Sequence, residues 1–206
     1  MIRELRTDDL GRLADLVRAL LPTMVVSERG LDHMRKSTTW WVAEDGGELV
    51  AAGRAGRFGR CWLGVAPWAR GRGLGRELAA IVEDAVRAAG HTKAVAWTDD
   101  EDGARFAELH GYREERRKPV SVLRLAEREP PPLIVPPRVE LLRLLDVEDR
   151  LRELYELTMA AHRDDPADTL DAGQTFEEWL RDDIGVPDLD FEGSTVAVAD
   201  GRLAAD

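Results

Sequence analysis

At 206 residues the chain is longer than one average domain and short for two, and a hydrophobic content of 44% is enough for a packed core, which excludes wholesale disorder. A formal net charge of −11 argues against nucleic acid as a partner, because binding to phosphate backbones is mostly electrostatic. Cys61 is the one cysteine, so neither an internal disulfide nor a cysteine-based metal site can form.

Residues 2–6 (IRELR) read as a first strand, followed by Asp8 or Asp9 as a helix cap and by Leu10, Leu13, Leu16, Val17 and Leu20 on one helical face. The charged opening has no apolar signal-peptide core, and no apolar run reaches membrane length, so a cytoplasmic protein without a membrane partner is expected. Pro22 ends the first helix, and a second short one is expected at about 27–36. Residues 38–43 have the β-branched and aromatic content of a strand, and Asp45-Gly46-Gly47 turns it into a second strand at 48–53. Another strand at 60–65 carries Cys61, for which a small buried hydrophobe is the default reading and a covalent acyl-cysteine the alternative.

That strand runs into the most informative stretch, Val65-Ala66-Pro67-Trp68-Ala69-Arg70-Gly71-Arg72-Gly73-Leu74-Gly75-Arg76. Glycines there let the backbone approach an anion, and the helix that follows points its first N–H groups and its dipole at negative charge. The helix is plain in the recurrence of Leu74, Leu78, Ile81, Val82, Ala85, Val86 and Ala89, with Glu83 and Arg87 as an i,i+4 pair and Gly90 as the stop. A Walker A loop would need a terminal Gly-Lys-Ser/Thr, and a dinucleotide fingerprint would need Gly where Arg76 stands. From Arg54 to Arg76 the chain holds six arginines and no acid, as a receiver for a polyanionic small molecule would; a solvated basic face is the bland alternative for Arg54, Arg57 and Arg60.

Further along, a strand is expected at 93–97, a short helix at 104–109 stopping at Gly111, and two strands at 112–117 and 120–125. Five prolines between Glu129 and Pro137 mark an extended linker. The chain then begins again: residues 139–143 echo 2–6, Leu151, Leu154 and Leu157 renew the helical face, and 195–201 (TVAVADG) echo 41–46 (WVAEDG). The domains expected are therefore 1–127, a linker at 128–138, and 139–206 as a second, partial copy that reaches Asp206 before any counterpart of the glycine-rich loop. Strand edges left by an unfinished copy would allow pairing with another chain, including a homodimer.

Arg70, Gly73 and Gly75, preceded by Val65 and Pro67, fit Val-x-Pro followed by Arg/Gln-x-x-Gly-x-Gly/Ala, and this pattern resembles the acetyl-CoA loop of the GCN5-related N-acetyltransferases (GNAT family). The element order βααβββαβαββ over the first ~125 residues is similar to that family's fold, an α/β arrangement with a mixed, mostly antiparallel sheet flanked by helices. The resemblance implies acetyl-CoA as cosubstrate and a small-molecule or peptide amine as acceptor. It also implies a ternary complex in which the amine attacks the thioester directly. Leu63, Gly64 and Val65 would pair with the pantetheine arm through their backbone, with a strand N–H polarising the thioester carbonyl. The pyrophosphate would lie on Arg70, Gly71, Arg72, Gly73, Leu74, Gly75 and Arg76. Tandem members exist in the family, and this chain resembles one with its second unit cut short. The rival reading is a non-catalytic acyl-CoA-binding module.

Transfer to an alkylamine also needs the amine neutral, which at pH 7 costs about 4 to 5 kcal/mol for a pKa near ~10.4. Residues 57–65 contain no acid; Asp99, Asp100, Glu101 and Asp102 are the nearest, and their alternative role is to line a helix N-terminus. In the second family motif Ala104, Phe106, Gly111 and Tyr112 match, whereas Glu101 replaces an asparagine and Ala107 the tyrosine that would donate to the departing sulfur. No catalytic residue is thereby assigned. His110 reads as a surface residue ending a helix, and Tyr112 as core. Among the tryptophans, Trp68 stands out for contact with the cosubstrate, with Trp40, Trp41, Trp62 and Trp97 read as packing. One histidine and scattered acids from His162 to Asp168 have no ligand-like spacing, so no metal is expected there, and Phe176 and Trp179 should pack the second unit.

Overall fold

The computed structural model describes residues 1–22, 24, 26–98, 100–117, 129, 132–164 and 173–205. It divides into two compact units: Met1–Trp97 with Leu180–Leu189, and Thr98–Trp179 with Asp190–Asp206. The packing boundary thus falls at Trp97, ahead of the proline-rich stretch, and a short late segment joins the first unit.

The first unit is a four-stranded antiparallel sheet in the order β1 (Ile2–Glu4), β2 (Thr39–Asp45), β3 (Glu48–Ala55), β4 (Cys61–Val65). β3 is buried along Leu49, Val50, Ala51 and Ala52, an unbroken apolar run because helices cover both faces. On one face lies α3 (Leu74–Ala88), turning Leu78, Ala79, Val82 and Val86 inward. It comes so close that a Cβ on Gly53 would sit 3.1 Å from Val82 Cγ2. On the other lies α1 (Leu10–Leu20), burying Leu10, Leu13, Ala14, Leu16 and Val17. α2 (Glu28–Met34) packs against α1 and starts at Ser27, whose hydroxyl accepts from Gly30 N at 2.9 Å. The late segment is tied in by an Arg57–Asp182 ion pair at 2.7 Å and by a hydrogen bond from Ser27 Oγ to the Asp188 carboxylate.

Three expectations are corrected here. Asp9 does not cap α1 with its side chain. The carboxylate turns back to accept from Arg6 N at 2.8 Å and to pair with Arg3 and Arg12, a better use of a side chain only 1% exposed. The strand expected at 93–97 reduces to one parallel bridge between Arg60 and Val95, held by Cys61 N to Val95 O and Val95 N to Gly59 O, both 2.8 Å. The strand expected at 112–117 forms no ladder among the described residues. Arg113 to Arg117 are all charged and exposed, with no apolar alternation to hold a strand face down, and Glu114 pairs locally with Arg117 at 3.0 Å. Its expected partner at 120–125 lies outside the described residues.

The second unit begins with α4 (Glu101–Leu109), a turn earlier than expected because Asp100 caps it, accepting from Gly103 N at 2.5 Å. Its sheet is antiparallel in the order β5 (Val139–Arg143), β6 (Thr195–Ala199), β7 (Arg202–Ala205). α5 (Leu151–Asp164) packs against β7, with Glu153 accepting from Leu203 N at 2.9 Å. The short α6 (Phe176–Trp179) packs against α5, and Tyr155, Phe176 and Trp179 form a ring cluster with centroids 5.4–6.0 Å apart, as expected of core residues.

Candidate functional site

β4 is the edge of its sheet, and the bridge to Val95 covers only its first residue. Backbone groups alternate sides along a strand. Ala66 N donates to Val50 O on the β3 side and Cys61 N to Val95 O on the other. The N–H groups of Leu63 and Val65 therefore share the outer edge with that of Cys61, past the point where Val95 pairs, while Gly64 N faces β3. Leu63 and Val65 thus offer a short length of strand edge leading to the loop.

The loop is built by local chemistry. Pro67 opens a single tight turn, Pro67–Ala69, whose Ala69 is buried and anchors it. Gly71 and Gly73 take φ of +76° and +84°, in the left-handed region that side chains avoid. Gly73 is the N-cap of α3 and supplies no side chain, so the N–H groups of the first turn receive no side-chain cap and point out of the protein together with the positive end of a 15-residue helix. A Cβ built on Gly71 or Gly73 meets nothing within 4 Å, so the space over this turn is open.

Arginines flank that opening unequally. Arg70 Nε donates to Val65 O at 3.2 Å, which folds its stem back over the end of β4. Arg72 pairs with Asp45 at 2.7 Å and reaches Trp68 O at 3.3 Å. Arg76 is exposed one turn into α3, and Trp68, 64% exposed, stands beside the loop. The other three arginines of the span are elsewhere: Arg57 pairs with Asp182, Arg60 lies over the Trp97 ring at 5.3 Å, and Arg54 sits inside the sheet's α1 face. The span is therefore no single receiver; Arg70, Arg72 and Arg76 alone belong to the loop.

The proton-transfer candidates disperse. Cys61 is buried against Val82 and Val86 under α3, which removes an acyl-cysteine role. Asp100 is the cap of α4, the reading set against catalysis from the start. His110 closes α4, its Nδ1 2.8 Å from Phe106 O and its ring stacked on Phe106. Asp99 lies outside the described residues, and no group of potential metal ligands occurs among those described. A cavity of about 390 Å³, lined in part by Lys36, Thr38, Gly56, Ala89 and His91, opens beside the far end of β3 and away from the loop. No helix among the described residues is long and apolar enough to cross a membrane.

Residues 11–112 match the model of a family described as acetyltransferase (GNAT). Comparison with curated proteins gives no match. Among solved structures, that of AAC(6')-Iy in complex with the bisubstrate analogue CoA-S-monomethyl-acetylneamine is similar at 17% identity and TM-score 0.50, covering 60% of this chain and 97% of that one. A Trypanosoma brucei acetyltransferase is similar at 23% identity and TM-score 0.48, covering 60% and 99%. The ribosomal-protein-alanine N-acetyltransferase from Brucella melitensis biovar Abortus follows at 18% identity and TM-score 0.47, covering 60% and 99%. At these identities the likeness is one of fold.

Proposed function

We propose, from the match of residues 11–112 to the GNAT acetyltransferase model, that the chain moves an acetyl group from acetyl-CoA to a primary amine, by direct attack within a ternary complex. Acetyl-CoA as cosubstrate is consistent with the family. One observation carries the rest: an uncapped helix N-terminus and two left-handed glycines continue directly from an outer strand edge. A pyrophosphate suits the N–H groups around Gly71 to Gly75, with Arg70, Arg72 and Arg76 alongside. The amide-bearing pantetheine arm suits the edge of Leu63 and Val65, and one N–H there can polarise the thioester carbonyl. The amine nitrogen then forms the new C–N bond as the C–S bond breaks, CoA leaves as the thiolate, and the amine's proton passes to solvent or a nearby base. The complex of a similarly folded aminoglycoside acetyltransferase with a CoA-linked acetylated amine supports this order of components.

The second sheet supports the tandem reading. Its order β5-β6-β7 repeats β1-β2-β3, and the middle strand of each carries a register shift, at Ala43/Glu44 and at Ala197/Val198. Each first strand also leads into an Arg–Asp capping box, Arg6 with Asp9 and Arg143 with Asp146. On this reading a first unit spans about 1–127, wider than the packing boundary at Trp97, and carries the glycine-rich loop, and a related unit spans 139–206.

The test is Gly73→Glu. It sets a carboxylate in the open space over the turn and strains a φ of +84°, so acetyl-CoA binding measured by calorimetry should fall at least 100-fold while the circular dichroism spectrum is kept. Unchanged affinity refutes the assignment. Tight binding by the native chain with no transfer to any of a broad panel of amines would instead favour the binding module, the reading that Ala107 in place of the family tyrosine keeps open.

A further inference from the structure

We propose that the amine acceptor carries a carboxylate, and that Arg54, lying between Trp40 and Trp62, is the group that binds it. The proposal deepens the acetyltransferase reading and takes from it only that the neighbouring strand edge holds the thioester.

The strand register places Trp40, Arg54 and Trp62 directly opposite one another across β2, β3 and β4, so they form one row on one face of the sheet. It is the face covered by α1, because Gly64, next but one to Trp62, lies against Leu20 of that helix. The Arg54 guanidinium is 5.7 Å from the centroid of the Trp40 ring, and the two indoles are 6.1 Å apart. Strand geometry keeps the Arg54 Cα about 6 Å from the backbone of Leu63 and about 11 Å from that of Val65.

Arg54 is poorly served where it stands. A guanidinium has five N–H donors and never gives up its charge in practice. The described contacts of Arg54 are one donation, from Nη1 to the thioether sulfur of Met34 at 3.2 Å, and the face of Trp40. Among the described residues no carboxylate pairs with it, although the chain carries 40 acids to 29 Lys and Arg. Burial, and then the neighbouring Arg60, pull the Arg54 pKa below its ordinary value, so the folded chain holds a cation where a cation is disfavoured. A mostly buried charge without a counter-ion among the described residues is costly, in the way that removing one partner from a buried ion pair is costly. The side chain is nonetheless partly exposed, which leaves a way in. A carboxylate takes two parallel N–H bonds from such a fork, beside the Trp40 face that already covers the guanidinium.

The experiment reads binding before turnover. Tryptophan fluorescence of the CoA-saturated protein is titrated with a panel of N-acetyl-α-amino acids and, matched one for one, their carboxamides. The expected result is at least tenfold tighter binding of the carboxylate in the best pair. That preference should be lost in Arg54→Met, which keeps the volume beside Met34, and weakened in Arg54→Lys, which keeps charge without the fork; CoA affinity should stay within twofold in both. A native preference for the carboxamide, equal binding of every pair, or a preference retained in Arg54→Met overturns the proposal. Wild-type pairs alone decide it if both variants misfold. Carboxylate-dependent binding without transfer to any amine would refute the acetyltransferase reading and leave this site standing. Transfer to amines irrespective of a carboxylate would do the reverse.

Discussion

Replacing Asp9 by Asn should destabilise the first unit by about 3 kcal/mol at pH 7, within the range seen when one partner of a buried ion pair is removed. Asp9 is 1% exposed and accepts from Arg3 at 2.6 and 2.9 Å, from Arg12 at 2.5 Å and from Arg6 N at 2.8 Å. Both arginines also reach Glu44, at 3.0 and 3.3 Å, so neither loses its only anion, which keeps the cost below the top of that range. For a unit of this size the change corresponds to a fall in Tm of about 12 to 15 °C. The hydrogen bond from Arg3, outweighing burial, and those from Arg6 and Arg12 hold the Asp9 pKa far below the usual carboxylate range. Its contribution is therefore complete above pH ~4, where the unfolded side chain is ionised, and is lost as pH falls from there toward the folded value. Urea unfolding of the native chain and of Asp9→Asn at pH 7, 5 and 3 measures both effects. The gap should be constant between pH 7 and 5 and smaller by about 1 kcal/mol at pH 3. A gap under about 1 kcal/mol at pH 7, or one that widens in acid, refutes the reasoning.

Gly64→Ala should cost about 1 to 3 kcal/mol, because the added Cβ would sit 2.7 Å from Leu20 Cδ1 and 2.9 Å from the Trp62 ring. Thermal denaturation checks it, and shortening Leu20 to Ala in the same chain should recover part of the loss. Asp45→Asn removes an exposed ion pair and should change stability by less than about 0.5 kcal/mol, while releasing Arg72 to the loop and tightening CoA binding in calorimetry. Ala107→Tyr restores the side chain that the family uses toward the departing sulfur and should raise turnover by ~10-fold or more if that proton limits the rate, as steady-state kinetics would report.

The loop was legible in the sequence because its function rests on backbone conformation, and glycine is the residue that betrays left-handed backbone: Gly71 and Gly73 both take it. Helix α3 was legible because its apolar spacing is regular, and the observed stop uses Gly90 at φ +84° as expected. The hairpin at Gly46–Gly47 follows the same logic, closing Asp45 onto Glu48. What could not be read depends on partners distant in sequence. The strand at 93–97 was expected from its own residues, but a strand exists only as far as a neighbour pairs with it, and here the pairing ends at Val95. Asp9 looked like a cap because caps are local; its actual partners include Glu44-bound arginines on β1 and α1. Arg54 was one of six arginines in an acid-free span, with a solvated basic face as its alternative, and only the register across three strands shows it inside the sheet's face.

That separation bears on where selectivity resides. A cosubstrate held by backbone N–H groups is bound alike by any side chains that permit the turn, so the loop says nothing about the amine. On the proposal made for Arg54, acceptor choice comes from side chains on the α1 face, where burial makes each charge expensive and each mismatch costly. Trp40 covers one side of the Arg54 guanidinium, so on that proposal the discrimination expected between a carboxylate and its amide is set by the cost of leaving that fork unfilled. By the same reasoning a polycationic amine of the aminoglycoside kind should bind this face poorly, since it would bring further positive charge toward Arg54 and Arg60. Competition of such an amine against the N-acetyl-amino acids should show no displacement, and displacement at comparable concentration would mean that the two tryptophans, and not the arginine between them, govern the face.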